Sequence, residues 1–221
     1  MISLCDLTLD APDGQLLLEG LYLDVAKGGK HLLTGPSGCG KSRLLRVIAG
    51  TERPAHGEVR VGGQVIWPGD GALALLGHVR MGLAFASGGL LSNLSLRGNI
   101  ALPLRFQGLP TKEVRDRTEA ALERLGLQAV AGLRPHAVSA TVRKHGNLAR
   151  VLALDPDLIL LDDPLEGLDA ADRATAVDVI RGWAEAGDKT LLLAQEEPGS
   201  FPAWATSHLD LPAHAIPLET P

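Results

Sequence analysis

Gly35-Pro36-Ser37-Gly38-Cys39-Gly40-Lys41-Ser42 is the stretch that decides how this chain is built. It fits the pattern G-x-x-x-x-G-K-[ST], with an apolar strand candidate at 31–34 before it and a helix candidate at 41–49 after it. Glycines at these places let successive backbone N–H groups turn inward and approach phosphate oxygens with no side chain between. The helix opening near Lys41 points the positive end of its dipole at the same anion. Lys41 adds a mobile point charge for the outer phosphates, and the Ser42 hydroxyl is a ligand for magnesium. A glycine-rich turn that matched by chance would not carry a strand before it and a helix after it.

Working outward, residues 158–161 read Leu-Ile-Leu-Leu, the uninterrupted apolar run of a central parallel strand covered on both faces. That run delivers Asp162 and Asp163 to the C-terminal edge of a sheet, where open α/β folds bind their ligands. Asp162 is suited to hold magnesium through water beside Ser42. Four apolar residues and an aspartate say little by themselves; with the glycine loop they form a pair.

The rest of the chain alternates between the two periods. Strand candidates lie at 21–25, 31–34, 58–61, 64–67, 81–85, 158–162, 190–194 and 207–211, separated by turns such as Lys27-Gly28-Gly29 and Val61-Gly62-Gly63. Helix candidates lie at 41–49, at 112–125 with Thr111 as N-cap and Gly126 as stop, and at about 171–186 with Val177, Ile180 and Ala184 inward. Strand, glycine loop and helix in succession predict an α/β fold, a P-loop NTPase core with a largely parallel sheet. From about 87 to 150 the pattern is helical with no convincing strand, which predicts a helical subdomain inserted into one 1–221 domain.

Bulk properties exclude several classes. The net charge of −5 over 221 residues argues against a duplex-wrapping protein, so no nucleic-acid partner is expected. Any polyanion must be captured locally. No stretch approaches the ~18 apolar residues of a membrane span, and the first residues, MISLCDLTLD, lack a signal peptide's basic and apolar segments. A cytoplasmic location is expected unless a membrane partner recruits the chain. Cys5 and Cys39 make no disulfide framework and read as free thiols. The seven histidines form no ligand-like cluster with them, so no zinc site is expected. Trp67, Trp183 and Trp204 read as packing residues.

The glycine loop occurs in kinases, GTPases, helicases and transport ATPases alike. Leu160-Leu161-Asp162-Asp163-Pro164-Leu165-Glu166-Gly167-Leu168-Asp169 discriminates among them. It resembles the Walker B strand and D-loop of the ATP-binding cassette (ABC) transporter family, with Asp169 at the D-loop aspartate. Leu148-Ala149-Arg150-Val151-Leu152-Ala153-Leu154-Asp155-Pro156 resembles the end of that family's signature helix, and 88–104 the segment after its Q-loop. The likeness runs from about 4 to 211 and is nearest to importer-like and lipid-trafficking subunits. It implies an ABC nucleotide-binding domain that takes ATP and Mg, pairs with a second ABC cassette, and docks on transmembrane transporter subunits at the cytoplasmic face of the membrane.

Four further groups of the family pattern are altered. The Walker B glutamate that polarises water is replaced by Asp163, a shorter carboxylate and the remaining candidate base. A displacement of about 1 Å at such a group costs on the order of 100-fold in rate. The signature motif aligns on Val138-Ser139-Ala140-Thr141-Val142, keeping Ser139, a donor toward a γ-phosphate, but losing both glycines. The Q-loop glutamine falls on Ala86. The switch histidine falls on Glu196 or Gln195. In addition, the adenine-stacking aromatic is missing, since 7–13 contains no ring, a loss of about 1 kcal/mol. An intact phosphate loop beside a damaged catalytic set implies a cassette that binds ATP and hydrolyses it slowly or not at all.

Overall fold

The computed structural model describes residues 1–86, 89–199 and 205–212. Ser87, Gly88, Trp204 and His214 lie outside the described residues. Nine strands among those described form two sheets. β3 (Lys30–Thr34), β6 (Met81–Ala84), β7 (Leu158–Asp162), β8 (Thr190–Ala194) and β9 (Ser207–Asp210) build one. Its order is β6-β7-β8-β3-β9, and every neighbouring pair is parallel. β1 (Ile2–Asp10), β2 (Leu16–Val25), β4 (His56–Val61) and β5 (Gln64–Trp67) build the other, antiparallel in the order β2-β1-β4-β5.

The core sheet is parallel, as expected; the antiparallel sheet stands beside it as an element that the sequence reading did not describe. β1 escaped the period-two pattern because its alternation slips. Ile2 and Leu4 point inward, the pairing shifts after Cys5, Asp6 takes a left-handed φ of 53°, and Leu7 and Leu9 resume on the core side. A bulge that re-phases a strand reads as two short fragments in sequence.

The described residues hold five α-helices: α1 (Lys41–Ile48) and α4 (Ala140–Ala153) pack on the parallel sheet, α2 (Leu96–Phe106) and α3 (Thr111–Arg124) pack on α4 and on each other, and α5 (Ala170–Glu185) packs beside α4. The alternation of β7 divides the core. Leu158 and Leu160 face α1 and the antiparallel sheet, while Ile159 and Leu161 face α2 to α5. All four are fully buried, each worth about 1.5–3 kcal/mol of transfer free energy. Between β6 and β7 the described residues hold helices and no strand, and these helices share their core with the sheet face beneath them.

Two glycines set how closely α4 packs. A Cβ on Gly82 of β6 would sit 2.4 Å from Val151 Cγ1 of α4. One on Gly146 would meet Leu96 Cδ2 at 3.2 Å and Leu90 Cδ1 at 3.3 Å. Gly146 weakens its helix by about 1 kcal/mol relative to alanine, and close contact with α2 is what offsets that cost. Asn99, buried in α2, accepts from Leu91 N at 2.6 Å and donates to the carbonyls of Leu91, Leu94 and Ser95, fastening the entry to that helix.

Thr111 is the first residue of α3, not its cap. Pro110 holds the N-cap position and contributes no side-chain bond. Ile180 and Ala184 are buried in α5, whereas Val177 is only partly so. The expected strand at 81–85 stops at Ala84.

Candidate functional site

The parallel sheet brings the C-terminal ends of β3 and β7 to one edge, with β8 between them. The glycine loop springs from β3 and runs into α1. Gly35 has φ 145° and Gly40 φ 104°, conformations that disfavour any side chain. At Gly35 space also forbids one, since a Cβ would lie 2.7 Å from the Leu211 carbonyl oxygen and 2.8 Å from Cys39 Sγ. Gly40 occupies the N-cap position of α1 with no side-chain cap, so the first N–H groups of that helix are unblocked toward the loop.

Lys41 is 5% exposed, and its Nζ donates to the Gly35 carbonyl at 2.6 Å and the Pro36 carbonyl at 2.9 Å. An ammonium has three donors. Two close the loop, and the third has, among the described residues, only Cys39 Sγ at 4.0 Å, a weak acceptor that a phosphate oxygen outcompetes. Ser42 Oγ donates to Asp162 Oδ1 at 2.8 Å, which brings the sequence-predicted hydroxyl and carboxylate to one point at the foot of the loop. A hard oxygen pair, one anionic and one neutral, fits magnesium, which is held by one or two protein oxygens plus phosphate and water. Cys39 is buried beneath the loop, and Cys5 is exposed.

Asp163 adopts a left-handed φ of 42° just past β7. Its N–H donates to the Ala194 carbonyl at 2.8 Å, and its own carbonyl accepts from Lys144 Nζ at 3.2 Å. The Asp163 carboxyl pKa is pushed up from the ordinary range, mainly by burial. Lys41 opposes this, while Asp162, Glu166 and Glu196 add to it. Of the two switch candidates, Glu196 lines a cleft of about 280 Å³ with Lys41, Ser42 and Asp163. Gln195 is buried and donates to the Pro198 carbonyl. The same cleft is also lined by Ala11, Pro12, Leu17, Arg43 and Arg46, none of them aromatic.

Ser139 and Asp169 are not among the residues lining that cleft. Each caps a helix: Ser139 Oγ accepts from Val142 N at 3.2 Å at the start of α4, and Asp169 Oδ1 from Asp172 N at 2.9 Å at the start of α5. α4 therefore opens at Ala140 as an ordinary capped helix. Sequence reasoning missed Lys144, Arg43 and Arg46. The two arginines were detectable as the residues one and four places after Ser42, on the helix face that continues from the loop.

Fold and loop together define a P-loop nucleotide-binding protein. The family model described as "ABC transporter" matches residues 18–166, and the chain belongs to that family. Among its relatives is the intermembrane phospholipid transport system ATP-binding protein MlaF of Haemophilus influenzae. It is 33% identical over 198 residues, spanning 89% of this chain and 75% of that protein. The lipoprotein-releasing system ATP-binding protein LolD of Chromohalobacter salexigens is 30% identical over 191 residues, spanning 86% and 81%. The dimeric structure of MJ0796, a bacterial ABC transporter cassette, shares the fold with a TM-score of 0.89 and 24% identity, covering 98% of this chain and 96% of that one. A dimeric post-hydrolysis state of MJ0796, bound to ADP and Pi, superposes with a TM-score of 0.82 and 25% identity, covering 89% and 88%.

Proposed function

We propose that the chain is the ATP-binding subunit of an ABC transporter, that it takes Mg-ATP in the cleft between the 35–42 loop and the β1–β2 turn, and that hydrolysis there is impaired. The observation that carries the reading is that Lys41, Asp163 and Glu196 share one cleft. Backbone N–H groups and the Lys41 ammonium favour the β- and γ-phosphates. Ser42 and Asp162 would hold magnesium, which supplies charge neutralisation to the phosphates when bound. Apart from Lys41, however, the charged side chains on offer around the outer phosphate are two carboxylates, Asp163 and Glu196. Glu196 brings negative charge where a neutral or cationic donor would stabilise the developing anion. Asp163 remains as a base, held by backbone bonds on both sides and shorter by a methylene than glutamate.

The subunit acts with others. α2 to α4 form the helical subdomain, and Ser139 with Asp169 faces a second cassette, either a copy of this chain or a more competent one. Transmembrane subunits hold the pair at the cytoplasmic face of the membrane.

Two measurements test the reading. Mg-ATP at millimolar concentration should raise the melting temperature of the purified subunit, while its ATPase rate stays at background. Asp163→Glu alone should not restore turnover, because groups that act as a unit are strongly non-additive. Absence of any thermal shift refutes ATP binding, and brisk turnover by the wild-type subunit refutes impairment. Turnover in the assembled membrane complex separates a slow ATPase from a purely structural nucleotide-binding subunit.

A further inference from the structure

The α1 residues lining the cleft have a construction that phosphate binding leaves unexplained. Arg43 and Arg46 sit on one face of α1, one and four residues beyond Ser42. A single carboxylate holds both: Arg43 Nη2 lies 2.9 Å from Glu52 Oε1, and Arg46 Nε lies 2.7 Å from Glu52 Oε2. Glu52 is itself fixed by the turn that follows α1. The Arg46 carbonyl accepts from Thr51 N at 3.0 Å, Thr51 Oγ1 at 3.1 Å and Glu52 N at 3.3 Å. Arg43 Nε is buried with no acceptor among the described residues. Ala11, Pro12 and Leu17 line the same cleft and carry no charge. The group carries a net charge of one positive unit, two guanidiniums against one carboxylate.

Building on the Mg-ATP reading above, we infer that Arg43 and Arg46 form the nucleobase subsite: the planar guanidiniums, oriented by Glu52, pack against the base and α-phosphate in place of an aromatic ring. A guanidinium offers what this position needs. It is flat, permanently charged and weakly hydrated, so it stacks on a π-face and still presents N–H donors to a phosphate at its edge. Pro12 and Leu17 supply apolar surface in the same cleft. Among the described residues lining the cleft there is no asparagine or glutamine to read the base edge, so the subsite recognises a planar base linked to a polyphosphate rather than adenine in particular.

An alternative role is purely structural, a salt-bridge staple at the end of α1. The experiment separates the two with ligands that do and do not carry a base. Wild type, Arg43→Lys, Arg46→Lys and the double lysine variant are titrated by calorimetry with Mg-ATP and with magnesium and inorganic tripolyphosphate. Their unliganded melting temperatures are recorded alongside. Lysine keeps the charge and removes the plane. The double variant should bind Mg-ATP about tenfold more weakly, as loss of one base stack does, and bind tripolyphosphate within about twofold of wild type. Wild type should take Mg-GTP within about threefold of Mg-ATP. Equal weakening for both ligands, or unchanged Mg-ATP binding, overturns the base subsite. A wild type that binds tripolyphosphate and Mg-ATP equally also overturns it, while leaving the loop's role intact. Failure of wild type to bind either ligand removes the nucleotide reading itself, and the arginine subsite with it.

Discussion

Ser42 Oγ donates to Asp162 Oδ1 at 2.8 Å, joining two residues that stand 120 positions apart. Asp162 is 5% exposed, so the hydroxyl is a partner that this carboxylate needs. Ser42→Ala leaves a buried acceptor short of a hydrogen bond and should destabilise the unliganded protein by about 1–3 kcal/mol. The same change removes a magnesium ligand. Thermal denaturation with ATP, with and without EDTA, should show a magnesium-dependent shift in wild type and a much smaller one in the variant. An undiminished magnesium effect in Ser42→Ala counts against this pair as the metal site.

Lys41→Ala should abolish most of the ATP-induced stabilisation. A ligand at about 100 times its Kd stabilises the folded state by about 2.7 kcal/mol, which for a chain of this size is roughly 5–10 °C in Tm. The variant should show less than about 2 °C under the same conditions. A wild-type-sized shift in Lys41→Ala would mean that ATP binds elsewhere.

Asp163 gives the unliganded protein a pH dependence of definite sign. Its pKa is raised in the folded state, first by burial. The folded chain therefore holds that proton more tightly than the unfolded chain, whose carboxyl titrates near about 3.9. Stability from this group is fullest at low pH and is lost as pH rises through the raised value. Asp163→Asn should consequently raise Tm at pH 7, and the advantage should shrink as pH falls toward about 4. Solvent reaches the carboxyl, and screening keeps the gain to about 1–2 °C. A variant less stable than wild type at neutral pH contradicts the sign.

Gly82→Ala tests the seat of α4. The new methyl would meet Val151 Cγ1 at 2.4 Å, and Val151 is 2% exposed and stiff at χ1. Overpacking of this kind costs about 1–3 kcal/mol. Val151→Ala in the same chain should recover part of the loss, because it vacates the space the methyl needs. Denaturant midpoints of the single and double variants measure both effects. At Gly146 the obstructing atoms are the ends of two leucines and helix propensity favours alanine, so Gly146→Ala should be milder than Gly82→Ala.

The central sheet and the loop were legible because their signals are local. Leu158 to Leu161 are continuously apolar in a strand buried on both faces, and the 35–42 loop announces its own strand and helix. β1 was not legible, since its inward residues change phase at Asp6 and only pairing with β2 and β4 reveals one strand. The site divides the same way. Lys41, Ser42 and Asp162 could be placed from spacing and strand ends. The choice between Gln195 and Glu196 could not, because it depends on which side chain turns inward after β8, a tertiary fact. Lys144 was hard to place for a similar reason: besides the Glu166 carboxylate at 3.5 Å, its partners are the backbone carbonyls of Asp163 and Glu166, and carbonyls leave no mark on a sequence.

The position of β3 bears on how the protein is made. The strand that launches the phosphate loop lies between β8 and β9, and Lys30 N reaches Thr206 Oγ1 across 176 residues. At about 5–20 residues per second, a ribosome needs roughly 9–35 s after synthesising β3 before its last neighbour exists. Until β8 is synthesised, Leu32 and Leu33 are an apolar strand with neither edge paired, the kind of segment that aggregates or recruits chaperones, and one edge stays open until β9 follows. The nascent chain thus carries its nucleotide loop long before it can rigidify it, and competence to bind should appear late and abruptly in synthesis.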